Sequence, residues 1–377
     1  MQNKRNFAYR LASLLPFLII GTVWADTLPG SQEAAFDSTG VLKADVSTLK
    51  DTRLFATPDA PLVAHQNVLW CGTLQLAWNE AINLVGEKLQ FSRPSEEVEQ
   101  LNLQNFTKKD LDSNSYVAIA DFERNGVESE IKKALWNTFH GVASPDLIPS
   151  SPAHPGPDDF VAYAYLFKDL SFSEPFAENK PLLFDGKSVE SFGFTENLDA
   201  LNAAVFSQVQ IMDYVSKDDF VIELKPKSLE DQFILAKVPP QSTLKATIHD
   251  VLERLQKGKT ITATKQDRMA VPKLNFDLKS QFPELAGLEL VPSPTAHVHR
   301  LTLSSVSQNV RFQLNEQGVK LKSEAEMTMK TTVILLTNQP HKLIFDQPFL
   351  ILIKRVSSPQ PYFALWVGNS TLLVPAL

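Results

Sequence analysis

The chain has 377 residues, of which 44% are hydrophobic and 21% are charged, a composition typical of a globular protein with a large core. Its formal net charge of -7 argues against a nucleic-acid partner, because nucleic acids bind basic surfaces. No Walker-type loop, GxSxG or HExxH motif occurs in the sequence. We therefore expect no enzymatic activity, no catalytic residue, no cofactor and no metal.

The N-terminus is typical of a secretory signal peptide, which we place at residues 1–25. Lys4, Arg5 and Arg10 precede an apolar run that ends in the small-residue pattern of a cleavage site at Ala25. We expect a periplasmic or extracellular protein whose mature chain does not associate with a membrane. An uncleaved anchor is the alternative, although the run is short for a bilayer span.

A single cysteine, Cys71, rules out an internal disulfide. Apolar residues surround it in the stretch NVLWCGTLQLAW, residues 67–78. This context predicts a buried structural thiol rather than a nucleophile, which needs accessible and electropositive surroundings.

Helices are predicted mainly in the first half of the chain. An irregular lead-in over 26–44 comes first. Apolar spacing then predicts a helix over 69–85, Ser95 is a suitable N-cap for a second helix, and amphipathic spacing predicts a third over 127–141. One further amphipathic helix is predicted over 243–256.

Strand patterns dominate the second half of the chain. Two strands are predicted in the first half, over residues 115–122 and 160–167. In the second half, the predicted strands cover residues 220–226, 233–239, 296–303, 309–315, 318–327, 331–337, 349–355 and 362–368. The proline-rich stretch 142–159 is either an interdomain linker or a surface connection. His297 and His299 would share a strand face, but no third metal ligand lies near them in the sequence. The mixture predicts an α+β protein.

The segment NEQGVKLKSEAEM, residues 315–327, has a turn followed by strict alternation. Val319, Leu321, Ser323, Ala325 and Met327 alternate with charged residues, which predicts a strand with one buried face. The pattern fits a permanent strand, and it fits equally a segment that moves into a sheet.

Four stretches follow one another in a specific order. FVAYAYLFK (160–168) is an apolar strand that ends in Phe-Lys, and MAVPKLNFDLK (269–279) has a Pro-Lys pair between two strands. VRFQLNEQG (310–318) leads to the alternating segment, and IFDQPFLILIK (344–354) follows it after an interval. In order and spacing these stretches resemble the serpin family over about 210 residues.

The resemblance implies a single serpin-like domain over 45–377, of α+β class, with large mixed or antiparallel sheets and several helices mainly in the N-terminal half. It implies a monomer that inhibits a serine or cysteine protease. In that mechanism a loop, here 318–342, is acylated as bait and then inserts as a new strand in a sheet. The implied scissile bond is Thr332-Val333. The implied hinge residues are Glu316, Gly318, Val319, Leu321, Ser323 and Ala325.

Departures from the family fall mainly in the region where the sheet would open. The implied positions there are Asn67, Cys71, Phe172 and Gln308. Cys71-Gly72 replaces Ser-Pro, Phe172 replaces a Trp, and Gln308 replaces a His.

Large hinge residues support a second hypothesis. Leu321 and Met327 are bulkier than the small residues of a typical hinge, and overpacking costs roughly 1–3 kcal/mol per misfit. The stretch TTVILLT (331–337) is apolar for a bait loop, so the true loop could instead lie near 337–342. The alternative function is therefore a non-inhibitory binding protein, in which the hinge segment is already a fixed strand.

Overall fold

Five α-helices are present in the computed structural model, which describes residues 40–140, 156, 158–196, 198, 201–291, 301–320 and 340–376. These residues all fall within one contact-defined unit, Phe36–Leu377. The helices are α1 (Thr73–Val85), α2 (Glu96–Leu101), α3 (Val127–Phe139), α4 (Ala203–Ser207) and α5 (Leu244–Lys257). Among the residues described, no helix has both the length and the hydrophobicity needed to cross a membrane.

Twenty-one strands lie in the described part of the chain. The first eleven are β1 (Leu42–Asp45), β2 (Thr52–Phe55), β3 (Asn67–Cys71), β4 (Tyr116–Phe122), β5 (Phe160–Leu166), β6 (Leu170–Ser171), β7 (Ala177–Phe184), β8 (Lys187–Phe194), β9 (Val209–Ser216), β10 (Asp219–Leu224) and β11 (Asp231–Lys237). The others are β12 (Ile261–Thr262), β13 (Arg268–Pro272), β14 (Leu274–Gln281), β15 (Leu288–Glu289), β16 (Thr302–Leu303), β17 (Ser307–Asn315), β18 (Gly318–Lys320), β19 (Lys342–Ile344), β20 (Phe349–Arg355) and β21 (Pro361–Val367).

An eight-stranded sheet forms the centre of the main core. Its order is β12-β9-β10-β11-β20-β21-β3-β2, and every pairing except β2 with β3 is antiparallel. All residues of β3 and β21 are buried. Strands buried on both faces read as continuous apolar runs, which explains the sequences NVLWC and PYFALWV.

A five-stranded sheet carries the segment of functional interest. Its order is β1-β14-β17-β18-β6, with β1 parallel to β14 and the remaining pairs antiparallel. β17 alternates between buried and half-buried side chains over much of its length, so one face packs on the core and the other is partly accessible.

The remaining strands form smaller sheets around these two. A four-stranded sheet has the order β19-β13-β8-β7, and β15 pairs with β16. β4 and β5 form an antiparallel pair covered by α3. This pair and α3 have a hydrophobic cluster of their own, made of Val117, Val127, Ile131, Leu135, Phe139, Tyr163 and Phe167.

The predicted fold class is confirmed: the protein is α+β, with mixed and antiparallel sheets and with helices mainly in the N-terminal half. Local differences from the predictions have physical causes. Residues 69–71 lie in strand β3, and the helix begins only after Gly72, against which the Phe106 ring packs. β5 is mostly half-buried rather than fully buried, with Tyr163 as its one buried residue.

The lead-in predicted over 26–44 is shorter than expected at its C-terminal end. Residues 42–45 form β1, which pairs in parallel with β14. A four-residue strand has too little sequence pattern to be recognised alone, and its pairing with β14 decides its conformation.

Candidate functional site

The chain turns back on itself at Glu316-Gln317 and re-enters the five-stranded sheet as β18. On one side Val319 pairs with Leu314 of β17. On the other side Val319 pairs with Leu170 of β6, again antiparallel. The first residues of the hinge segment therefore lie between two strands in the interior of the sheet, and the Val319 side chain is fully buried.

Gly318 stands at the position where the chain enters the sheet. Its φ of +147° lies in a region that side-chain-bearing residues rarely adopt. A Cβ atom at this position would lie 2.6 Å from Ser171 Cα and 2.7 Å from the carbonyl oxygen of Leu170. The turn and the close approach to β6 both require glycine.

Backbone hydrogen bonds fix the turn that precedes Gly318. The Phe172 N–H donates to the carbonyl of Gln317 at 2.8 Å, and the Phe176 N–H donates to the carbonyl of Glu316 at 2.9 Å. The turn is thereby attached to the chain that follows β6.

An ion cluster surrounds Lys273, between β13 and β14, and reaches the turn. Its Nζ lies 3.0 Å from Glu316 Oε2, 2.7 Å from Glu178 Oε1 and 3.5 Å from Glu190 Oε2. Burial alone would lower the pKa of Lys273, but its interactions with Glu178 and Glu316 raise it. A hydrogen bond from Lys273 lowers the pKa of Glu178. Three carboxylates around one ammonium group thus join the four-stranded sheet to the hinge.

Phe172 directly follows β6 and packs into a cluster of aromatic rings. It is 3% exposed, and its ring contacts those of Phe176, Phe192 and Phe233. The edge-to-face contact with Phe176, with ring centroids 4.9 Å apart, is a favourable aromatic geometry. Phe172 therefore acts as a hydrophobic plug beside the hinge turn.

Gln308 connects the five-stranded sheet to the start of α1. From β17 its Nε2 donates to the carbonyl of Cys71 at 3.0 Å and to Thr73 Oγ1 at 2.6 Å. The side chain is 4% exposed, and its Oε1 has no hydrogen-bond partner among the described residues. The amide thus holds β17 against the end of β3.

Cys71 is a buried free thiol. The Thr73 hydroxyl lies 3.9 Å from its Sγ, and burial raises the pKa of the thiol. A thiol that is buried and disfavoured as thiolate is a poor nucleophile.

Asn67 lies apart from these residues, at the opposite end of β3 from Cys71, roughly 13 Å away at the rise of a strand. It is fully buried and donates to Thr52 Oγ1 and Asn369 Oδ1, while its own oxygen accepts from the N–H groups of Gly368 and Asn369. These bonds attach the C-terminal segment to β2 and β3. The structure does not bring Asn67 to the hinge.

Several predicted positions lie outside the described residues. They are the hinge positions Leu321, Ser323 and Ala325, the bond Thr332-Val333, the signal region 1–25 and the pair His297 and His299.

A buried polar cluster at the end of β5 was not predicted from the sequence. Lys168 Nζ lies 3.0 Å from Asp231 Oδ2, and the Tyr362 hydroxyl donates to Asp231 Oδ1 at 2.9 Å. Burial and the adjacent carboxylate raise the pKa of Tyr362 well above its usual range. The only local signal was a lysine at the end of an apolar strand, and its partner lies 63 residues away.

Comparisons with known proteins give a fold-level likeness only. No family model and no curated protein matches the chain. A solved structure of thyroxine-binding globulin in complex with thyroxine matches with 14% identity over 83% of this chain and 94% of the other, at a TM-score of 0.44. A human thyroxine-binding globulin complex matches with 13% identity over 81% of this chain and 92% of the other, also at 0.44. A TM-score below 0.5 supports no conclusion about what this chain does.

Proposed function

We propose that the protein is an exported, monomeric, serpin-like inhibitor that traps a serine or cysteine protease without catalytic residues or a cofactor of its own. The observation that carries this proposal is the position of β18. Gly318 and Val319 pair antiparallel with β17 on one side and with β6 on the other, inside the five-stranded sheet, and Lys320 pairs with β17. A bait segment that becomes a new strand must enter a sheet in this way.

Strand addition supplies the driving force. An added strand forms a row of main-chain hydrogen bonds and buries alternate side chains. Val319 already occupies the first buried position. The alternation continues in the sequence at Leu321, Ser323, Ala325 and Met327, so each further pair of residues would add one buried side chain.

The contacts around the hinge suit a controlled opening. Besides the backbone hydrogen bonds at the turn, the Glu316–Lys273 ion pair and the Gln308 amide hold the turn and β17 through side-chain contacts. Such contacts can break and reform without unfolding the strands, whereas the main-chain ladder between β14 and β17 stays intact.

Protease trapping is tested with the mature protein and a panel of serine and cysteine proteases. We expect a covalent complex that survives a denaturing gel. Ala325→Arg places a charge on the predicted buried face and should convert the inhibitor into a substrate that is cut without complex formation. Glu324→Arg changes the outward face and should leave trapping intact.

Cleavage of the wild type within 318–342, with neither a covalent protease complex nor a rise in melting temperature, would contradict the trapping function. The melting temperature of the cut chain gives a second, independent readout, because an added central strand must raise it.

A non-inhibitory binding protein is the second candidate. It is favoured by the pairing of Gly318 and Val319 on both sides in the uncut chain and by the bulk of Leu321 and Met327. In that case β18 is a permanent strand. Cleavage would then leave the melting temperature unchanged, and no protease in the panel would be trapped.

A further inference from the structure

Two buried lysines of the protein pair with carboxylates, and their surroundings differ. Lys168 Nζ lies 3.0 Å from Asp231 Oδ2, and both side chains are at most 3% exposed. Among the described residues, that carboxylate oxygen is the only hydrogen-bond acceptor of Lys168. Lys237 is equally buried, but two carboxylates and two backbone carbonyls surround its Nζ. Because an ammonium group has three N–H donors and buried donors need acceptors, the Lys168–Asp231 pair is poorly satisfied as two ions.

The Asp231 carboxyl group has a hydroxyl donor on each oxygen. The Tyr362 hydroxyl donates to Oδ1 at 2.9 Å, and the Ser228 hydroxyl donates to Oδ2 at 3.0 Å. Tyr362 is fully buried, and its ring centroid lies 5.8 Å from Lys168 Nζ. A nitrogen nucleophile, a carboxyl carbon and a donor for each carboxyl oxygen therefore meet in a site closed to bulk water.

We propose that Lys168 and Asp231 form an intramolecular amide, which cross-links the chain between the end of β5 and the start of β11. A nitrogen held 3.0 Å from a carboxyl oxygen is already paired with its reaction partner. Fixing two reacting groups in contact removes most of the entropic barrier to their condensation. A dry site favours the amide further, because the water that is produced leaves for the solvent.

The reaction needs no oxidant, cofactor or outside base. The Lys168 ammonium group first passes one proton to Asp231 Oδ2, which gives an amine and a carboxylic acid. The lone pair of Nζ then attacks Cγ and forms the C–N bond, while the Tyr362 hydroxyl stabilises the negative charge that develops on Oδ1. A second proton passes from Nζ to Oδ2, the bond between Cγ and Oδ2 breaks, and water leaves. Overall, one ammonium and one carboxylate become one amide and one water.

The position of this pair gives the cross-link a structural role. The chain has a single cysteine, Cys71, so no disulfide joins its sheets. Lys168 lies between β5 and β6, and β6 pairs with β18 in the five-stranded sheet. Asp231 is the first residue of β11 in the eight-stranded sheet. The amide would therefore tie these two sheets together, and it would restrict the unfolded chain as a disulfide does.

Peptide mapping of the purified, denatured wild type tests the proposal. Trypsin recognises the positive charge of the residue before the cut, so it does not cut after a lysine that has become an amide. We expect no cut after Lys168 and a branched peptide that joins Lys168 to residues 228–237, with a mass one water below that of its separate parts. Lys237 is the control in the same digest, because its ammonium group is fully satisfied and trypsin should cut after it.

Complete cutting after Lys168, with residues 228–237 recovered in full yield as a free peptide, would overturn the proposal. The wild-type digest gives this answer even if a variant fails to fold.

Two variants test the chemistry of the step. Lys168→Met removes the nucleophile and should release residues 228–237 as a free peptide. Tyr362→Phe keeps the ring but removes the donor to Oδ1, and loss of such a donor slows acyl transfer by about 10²-fold or more. Pulse-labelled, newly synthesised protein should therefore form the branched peptide more slowly by that factor. Tyr214→Phe, which removes a hydroxyl that accepts from the Lys342 N–H, is the matched control and should react as wild type. If Tyr362→Phe also reacts at the wild-type rate, the role given to the Tyr362 hydroxyl is wrong.

Discussion

The eight-stranded and five-stranded sheets bury their residues in different ways. In the former, β3 and β21 are buried throughout, and the buried lysines at its margin, Lys168 and Lys237, pair with Asp231 and Asp346. In the latter, one side of β17 is only partly buried, and the inner strand β18 and the edge strand β6 contain only three and two residues.

This difference shows where the protein can change and where it cannot. A strand sealed on both faces can move only if its packing and its buried charges are disrupted together. Short strands joined by a glycine turn and by side-chain contacts can be lengthened or released at lower cost. Under the proposed function, we therefore take the eight-stranded sheet as the scaffold and the region around Gly318 as the changeable part.

The largest expected effect lies in the scaffold, at Asp231. Asp231→Ala leaves the buried Lys168 ammonium without its carboxylate and the Tyr362 hydroxyl without its acceptor. Losing one partner of a buried pair costs about 3–5 kcal/mol, which denaturant unfolding measures directly. Glu230→Ala is the control, because its exposed pair with Arg355 should contribute less than about 1 kcal/mol. Equal losses in the two variants would contradict the distinction between scaffold and surface.

Local pattern was enough to predict much of the scaffold. Continuous apolar runs predicted β20 and β21, and side-chain caps at Ser95 and Thr243 match predicted helix starts. The exception is β3. Leu69 and Trp70 fit a helical face as well as a buried strand, and pairing with β2 and β21, which come from distant parts of the chain, decides between them.

The candidate site was less predictable because its contacts join distant parts of the chain. The turn at Glu316 and Gly318 was predictable from the local sequence and from the resemblance of that stretch to serpins. The partner of Gln308 lies 235 residues away at Thr73, and no periodicity encodes such a pairing. The same holds for Lys273 and its three carboxylates, which come from three separate segments.

In the changeable region the largest effect is expected at Gly318. Gly318→Ala introduces a Cβ that collides with the backbone of β6 at a φ that alanine rarely adopts. We expect a loss of roughly 2–3 kcal/mol, from strain and overpacking, and increased proteolysis at 316–322 as β18 leaves the sheet. Gly287→Ala shares a positive φ but meets no atom within 4 Å, so it isolates the strain alone. If the control lost as much stability, contact with β6 would not be the cause.

A smaller effect is expected at Gln308, which connects the five-stranded sheet to Cys71 of β3 and to Thr73 at the start of α1. Gln308→Met has a similar size but removes both donated hydrogen bonds. We expect a loss of about 1–2 kcal/mol, because a donor to two buried acceptors disappears. Insertion in the cleaved chain should also become faster, as followed by the rise in melting temperature after a cut. Gln281→Met, at the exposed end of β14, should change neither quantity.

The smallest effect is the response of the hinge cluster to acid. Lys273 lowers the pKa of Glu178 below the ordinary glutamate value of 4.5, so the folded protein favours the ionised carboxylate. The stabilisation is present above pH 4.5 and is lost as the pH falls through the lowered pKa. Because Glu178 is 71% exposed, solvent screening should limit it to less than about 1 kcal/mol. The melting-temperature difference between wild type and Glu178→Gln should therefore be small near neutrality, shrink toward zero between about pH 5 and 3, and weaken in high salt. A melting-temperature difference that grows on acidification would mean that Glu178 does not pair with Lys273 as a carboxylate.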